Sequence, residues 1–133
     1  MRDVRTKLGA CALLGAVACQ PAVERGTRTS GARLVMDEAR QHLVVPDSDR
    51  DSVHIMSLDG RRAQEVLVGR EPSRALVAGE RVYVSLRAER AVAVLAQVGE
   101  RWDVVHRLPV GPEPMGLAFD GTTERLYVAS SLS

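Results

Sequence analysis

Aromatic side chains are scarce in this chain: one Trp, one Phe and two Tyr in 133 residues. With so few stacking platforms, the chain is poorly suited to hold sugars or single-stranded nucleic acid. Cysteine is scarcer still, with only Cys11 and Cys19, both near the amino terminus. No internal disulfide framework can be built from them. Neither sign of charge dominates, with 18 Lys plus Arg against 17 Asp plus Glu. A balance of that kind gives no electrostatic reason to bind nucleic acid or an anionic membrane face. No Gly-x-Ser-x-Gly elbow marks a nucleophile, and no glycine-rich phosphate loop or dinucleotide fingerprint is present. Long apolar runs are also missing. The uncharged apolar stretch Leu8 to Ala18 is too short to span a bilayer as a helix.

That stretch has another use. Arg2, Arg5 and Lys7 precede it, and Ala16-Val17-Ala18 fits a small-x-small cleavage site, so residues 1–18 read as a signal peptide. Cys19 follows the cut directly, and the segment resembles a bacterial lipobox, with Ala16 where that pattern usually has leucine. The resemblance implies acylation of Cys19 and anchoring in the cell envelope. The alternative is an ordinary cleaved leader and a soluble periplasmic or secreted product. Lipidation is preferred because a lone thiol at the cleavage point otherwise has no role. Residues 19–32 hold Pro, Gly, Thr, Ser and charges and read as a flexible tether. After residue 18 the balance is 15 basic against 16 acidic side chains, because residues 1–18 remove three basic and one acidic from 18 and 17.

From residue 33 onward the chain repeats itself. Val68-Gly69-Arg70-Glu71-Pro72 recurs as Val110-Gly111-Pro112-Glu113-Pro114, an offset of 42, and Val82-Tyr83-Val84 recurs as Leu126-Tyr127-Val128, an offset of 44. Leu34, Asp37, Leu43 and Val45 match Leu117, Asp120, Leu126 and Val128 at 83. Val45, Val53, Gly60, Arg62 and Val66 match Val84, Val92, Gly99, Arg101 and Val105 at 39, which places a three-residue insertion after Val105. Such periods belong to stacked copies of one supersecondary unit.

Each unit divides into short strands. In the second copy these are predicted at Arg74–Ala78, Arg81–Leu86, Ala91–Ala96 and Trp102–Leu108, split by Gly79-Glu80, Arg87–Arg90 and Gly99-Glu100. Val82, Val84 and Leu86 alternate as one face of a strand. Val92, Val94 and Leu95 interleave with alanines, the pattern of a strand buried on both faces. An all-β fold follows.

The order Val-Gly-x-x-Pro, strand, Leu-Tyr-Val, polar turn, Val-x-Val resembles the YVTN-type β-propeller repeat. Val82-Tyr83-Val84-Ser85 with Val92-Ala93-Val94-Leu95, and Arg125 to Ala129, carry the likeness most clearly. It covers residues 33–133. It implies a partial β-propeller, two complete blades and half of a third, in an open arc because a closed ring needs at least about four blades of about 40 residues. The chain is accordingly expected to be part of a longer protein. The first and last sheets are expected to leave an apolar face open, with Val53, Ile55, Leu126 and Val128 on it, and Arg125–Ala129 is expected to be an unpaired edge inviting self-association.

The resemblance implies a non-catalytic binding scaffold for a protein or small-molecule partner, with no cofactor. The alternative is the amino-terminal part of a propeller enzyme, a metal- or haem-dependent hydrolase or oxidoreductase. That chemistry needs carboxylates or histidines on the innermost strands. Arg33–Met36, Arg74–Ala78 and Gly116–Phe119 offer mainly apolar residues and Arg.

Asp47, Asp49 and Asp51 alternate like the opening of a calcium loop and are the one metal candidate set. Ser52 and Leu58 stand where that loop needs Gly and Glu, so the segment reads as a solvated hairpin turn. His42, His54 and His106 fall at three different places in the repeat, without metal-ligand spacing. Trp102-Asp103 opens a strand, whereas the Trp-Asp dipeptide of WD40 propellers closes one, so Trp102 is expected at a sheet edge. In the repeated Gly-x-x-Pro, glycine allows the turn and proline fixes entry into the next strand. The loops holding Arg70, Glu71 and Glu113 are the candidate ligand face.

Overall fold

The computed structural model describes residues 28–131. The leader, Cys19 and the first part of the expected tether lie outside the described residues. Among the described residues eleven strands are present and no α-helix: β1 (Arg28–Ser30), β2 (Val35–Asp37), β3 (His42–Asp47), β4 (Ser52–Ser57), β5 (Ala63–Leu67), β6 (Pro72–Ala78), β7 (Arg81–Leu86), β8 (Ala91–Val98), β9 (Arg101–Pro109), β10 (Pro114–Asp120) and β11 (Arg125–Ser130). They form three antiparallel sheets, ordered β2-β3-β4-β5, β6-β7-β8-β9 and β1-β10-β11, none closed on itself. The predicted strands of the second copy match β6 to β9 to within a few residues at each end.

Turn chemistry sets these boundaries, and it repeats. Gly60 and Gly99 sit at φ 74 and 67 in the β4–β5 and β8–β9 turns. Asp51 and Arg90 both sit at φ 54 after β3 and β7. Their carbonyls accept equivalent bonds, Val68 N to Asp51 O at 3.0 Å and Val110 N to Arg90 O at 2.9 Å. Tyr83 pairs with Leu76 and Tyr127 with Ala118, each tyrosine third in its strand and each partner fifth in its own, so the two hold equivalent positions. The insertion after Val105 also has a visible consequence. Pairing steps from Val94↔His106 to Leu95↔Val104, so Val105 is left over as a bulge.

The second sheet is covered on both sides. Val44, Val53, Ile55 and Val66 of the first sheet pack against Val82, Val84, Leu86, Ala93 and Leu95. Leu76 and Val92 on its other face pack against Leu117, with Tyr83, Phe119, Leu126 and Val128 alongside. Tyr83 and Phe119 stack with centroids 6.2 Å apart. Val92, Ala93, Val94 and Leu95 are consecutive and all buried, as a strand covered on both faces requires.

This packing corrects the expected open faces. Val53 and Ile55 are buried against the second sheet, and Leu126 and Val128 face it too. Alternation then turns Met36, Leu43, Val45, Met56 and Leu67 outward from the first sheet, with Met36 at 51% and Leu67 at 73% exposure. In the third sheet Tyr127 faces outward, 53% exposed. The open apolar faces exist, but on the opposite parity.

Trp102 packs at a sheet edge, as expected. It lies on edge strand β9 but is only 3% exposed and belongs to the core between the first two sheets. Gln64 of β5 reaches across as if it were a strand. Its Oε1 accepts from Trp102 N and its Nε2 donates to Trp102 O, both at 2.8 Å. Those bonds satisfy backbone groups on one edge of β9 and hold the indole inward.

The expected tether is the second correction. Its end, Arg28–Ser30, is strand β1, paired with β10 on the side opposite β11. Gly31 N then donates to Leu117 O at 2.8 Å, and Ala32 and Ala75 exchange bonds at 2.9 and 2.8 Å. An extended segment thus satisfies backbone groups along the β6 and β10 edges that would otherwise lack partners. A Cβ on Gly31 would meet Ala75 O at 3.0 Å, so the close approach requires a residue without one.

Candidate functional site

One end of the stack gathers four segments: the Gly69–Pro72 loop, the Gly111–Pro114 loop, the turn at residues 48–51 and the 3-10 turn Arg87–Glu89. Pro72 and Pro114 are fully buried and open β6 and β10. The glutamates before them sit at positive φ, 56 for Glu71 and 46 for Glu113. That region costs a side-chain-bearing residue about 1–2 kcal/mol. The carbonyls so presented accept from the chain leaving the next hairpin, Arg87 N to Glu71 O at 3.0 Å and Ser131 N to Glu113 O at 3.1 Å. The two loops are therefore copies in structure as well as in sequence. Their glycines differ. Gly69 has φ 130, and a Cβ there would lie 2.6 Å from Glu89 Oε1. Gly111 has an ordinary φ and is confined instead by Ser130, whose Oγ would lie 3.0 Å from a Cβ.

Charges link these loops. Arg87 spans Glu71 (3.4 Å) and Glu113 (3.6 Å), bringing two of the sequence candidates together. Arg70 goes elsewhere: its Nε is 3.7 Å from Glu89, its N donates to Glu89 Oε2 at 2.9 Å, and its Nη2 donates to Ala88 O at 3.3 Å. Arg107 reaches the same Glu89 at 3.4 Å. Sequence reasoning treated Arg87–Arg90 only as a strand breaker and so missed Arg87 and Glu89. Exposed pairs of this kind each contribute about 0–1 kcal/mol and serve mainly to set the loops against one another.

Between the loops lies a cavity of about 270 Å³, lined by Arg33, Ser48, Glu71, Ser73, Arg74 and Arg87 together with Pro46, Pro72 and Met115. A larger hollow of about 960 Å³ sits at the opposite end, between the second and third sheets, where Glu80, Arg81 and Glu124 line it with mixed charge. The smaller cavity has the more uniform chemistry, three guanidinium groups against one carboxylate.

The acidic turn is occupied by its own backbone. Asp47 Oδ1 accepts from Asp49 N (3.0 Å) and Arg50 N (3.2 Å), and Oδ2 lies 3.3 Å from His54 Nε2. Asp51 Oδ1 accepts from Glu71 N at 3.1 Å, tying this turn to the Gly-x-x-Pro loop. Asp47, Asp49 and Asp51 do not converge, and no group of three metal-ligating side chains occurs among the described residues. Of the histidines, His54 faces Asp47 on the side opposite Val53 and Ile55, and His106 is exposed on β9. His42 is half-buried, edge-on to Trp102 with centroids 6.4 Å apart.

These turn carboxylates make stability depend on acid. Desolvation pushes the Asp47 carboxyl up, but bonds from Asp49 N, His54 and Arg50 N outweigh it and leave it below its ordinary 3.8. The Ser57 hydroxyl and Arg61 N lower Asp59, and Thr122 N lowers Asp120. A lowered folded value means stability that is present above about 3.8 and is lost as pH falls through the folded values. The denaturation midpoint is expected to hold from neutral pH down to that region and then fall. The triple variant Asp47→Asn, Asp59→Asn, Asp120→Asn should fall less steeply, and an unchanged acid limb would show that other groups control it.

No protein-family model matches this chain, and comparisons with curated proteins and with solved structures find no match.

Proposed function

We propose that residues 33–133 are successive blades of a YVTN-type β-propeller repeat and that the protein is an exported binding scaffold. In this reading the leader is cleaved before Cys19, and Cys19 is acylated and holds the protein in the cell envelope. The observation that carries the reading is the recurrence of one loop. Glu71 and Glu113 share a left-handed backbone, a buried proline after them and the same carbonyl bond to the next hairpin. A loop that recurs on one end of successive sheets builds a ring of side chains there, and the strands behind it supply a rigid support. Arg70, Glu71, Arg87 and Glu113 stand on that ring. The role proposed is binding, because the first strands of the three repeats, β2, β6 and β10, bring no convergent catalytic set to it.

Two experiments test this. In a bacterium that processes lipoproteins, the full chain is expected to enter the detergent phase on phase separation and to incorporate labelled fatty acid. Cys19→Ser should abolish the label and either release the protein or block its processing. A water-soluble mature protein with an unmodified Cys19 would leave export standing and remove the anchor; an unprocessed cytoplasmic chain would remove both. For the binding face, a photo-crosslinking residue at position 70 should give adducts in the envelope that one at exposed Gln97, at the opposite end, does not. Equal adducts at both ends, or none at position 70, would overturn the assignment of the face.

A further inference from the structure

We infer that the cavity between the loops is an oxyanion site, taking a carboxylate or phosphate group of the molecule bound on this face. The inference rests on the loop face being the ligand face and adds the chemistry of what it holds. Arg33, Arg74 and Arg87 converge on a space of about 270 Å³ with a single carboxylate, Glu71, on its wall. Glu71 is engaged by Arg87 at 3.4 Å. Arg33 and Arg74 have no carboxylate within ion-pair distance among the described residues. Among the described residues the Arg74 guanidinium has one acceptor, Ser73 O at 3.3 Å.

Arg33, Arg74 and Arg87 all line one partly enclosed space, and a bound anion would offset the positive charge they bring to it. The donor inventory agrees. Arg87 is already shared between Glu71 and Glu113, yet its Nε–H is enclosed and has no acceptor among the described residues. An enclosed donor without a partner is costly, and an oxyanion drawing the guanidinium toward it would supply one. The hydroxyls of Ser48 and Ser73 stand on the same wall.

Size and lining narrow the ligand. The volume lies just below the usual range for a drug-sized molecule, about 300–1,000 Å³. No aromatic ring lines the cavity, so a sugar or a base has nothing to stack on. Planar forks in this number match carboxylate and phosphate oxygens two at a time. The occupant is thus the anionic end of a ligand, the rest of which lies over the loops.

The test is calorimetric titration of the folded protein at low ionic strength, with inorganic phosphate in one arm and succinate in the other. Saturable binding that weakens with added salt is expected in at least one arm. Phosphate alone would assign a phosphoryl ligand, succinate alone a carboxylate, and both a general oxyanion site. Arg33→Gln with Arg74→Gln should weaken binding at least about tenfold, the loss expected for removing charged hydrogen bonds. Arg125→Gln, away from the cavity, should leave it unchanged. No binding in either arm, or equal loss in the Arg125 variant, would overturn the inference. Failure here with crosslinks still forming at position 70 would sink the oxyanion site alone; loss of those crosslinks would sink the loop face.

Discussion

Trp102→Ala is expected to destabilise the protein by about 3–5 kcal/mol, the range for truncating a large buried aromatic. The indole is 3% exposed and fills the core between the first and second sheets. It also carries Arg40, whose guanidinium carbon is 5.7 Å from the ring centroid. Arg40 in turn donates to buried Asp37 at 2.8 Å and to Gly79 O of the second sheet at 3.1 Å. Removing the ring therefore empties a core position and frees an arginine that ties two sheets together. The Gln64 bonds go to the backbone of residue 102 and survive, so the loss isolates the side chain. Small domains hold about 5–15 kcal/mol in total, which makes this change a large fraction of it. Denaturant unfolding at fixed protein concentration measures the effect, and Trp102→Phe should recover part of it. A loss under about 1 kcal/mol would mean that the first two sheets are not held by this core.

The chain without its leader and anchor cysteine, residues 20–133, is expected to self-associate. Among the described residues strand β11 is paired on one side only, and such an edge presents a row of backbone donors and acceptors to another chain. The outward faces of the first and third sheets carry Met36, Leu67 and Tyr127, each more than half exposed. Val44 and Tyr83 turn their side chains toward the sheet that follows, and Tyr127 holds the equivalent place with no sheet opposite it among the described residues. A second copy offers what that surface lacks, since its first sheet is apolar on the matching side. Light scattering should therefore report masses above the monomer that rise with concentration. Met36→Lys together with Tyr127→Lys should drive the mass toward the monomer, because a charge on either face opposes stacking. A monodisperse monomer with a cooperative unfolding transition would show that these faces are covered, and the association would have to be given up.

Most of the strand plan was legible from residue order. Strands are short local patterns, and glycines such as Gly60 and Gly99 mark their ends wherever the chain must adopt positive φ. The double burial of Val92 to Leu95 was legible too, because apolar residues on both faces of one strand have only one comfortable environment. The site was half legible. Glu71 and Glu113 were found through their repeated loops, whereas Arg87, which joins them, sits in a turn with no counterpart signal. Arg33 and Arg74 were visible as arginines on or beside first strands, but nothing in their spacing said that they share a cavity.

By itself the sequence determined that the region from residue 33 onward is β, roughly where the strands of its second unit fall, and that its units are copies of one another. Each of those properties is carried by neighbours in the chain: alternation within a strand, a turn residue at its end, an offset between copies. Tertiary structure alone decided which parity of each strand is covered, since Val53 and Met56 are both apolar and only the position of the second sheet separates them. It also decided that Arg28–Ser30 is a strand and not a tether, because three extended residues acquire hydrogen-bond partners only where β10 presents an edge. Trp102 is a core residue for the same reason: its burial comes from the first sheet and from Gln64, 38 residues away along the chain.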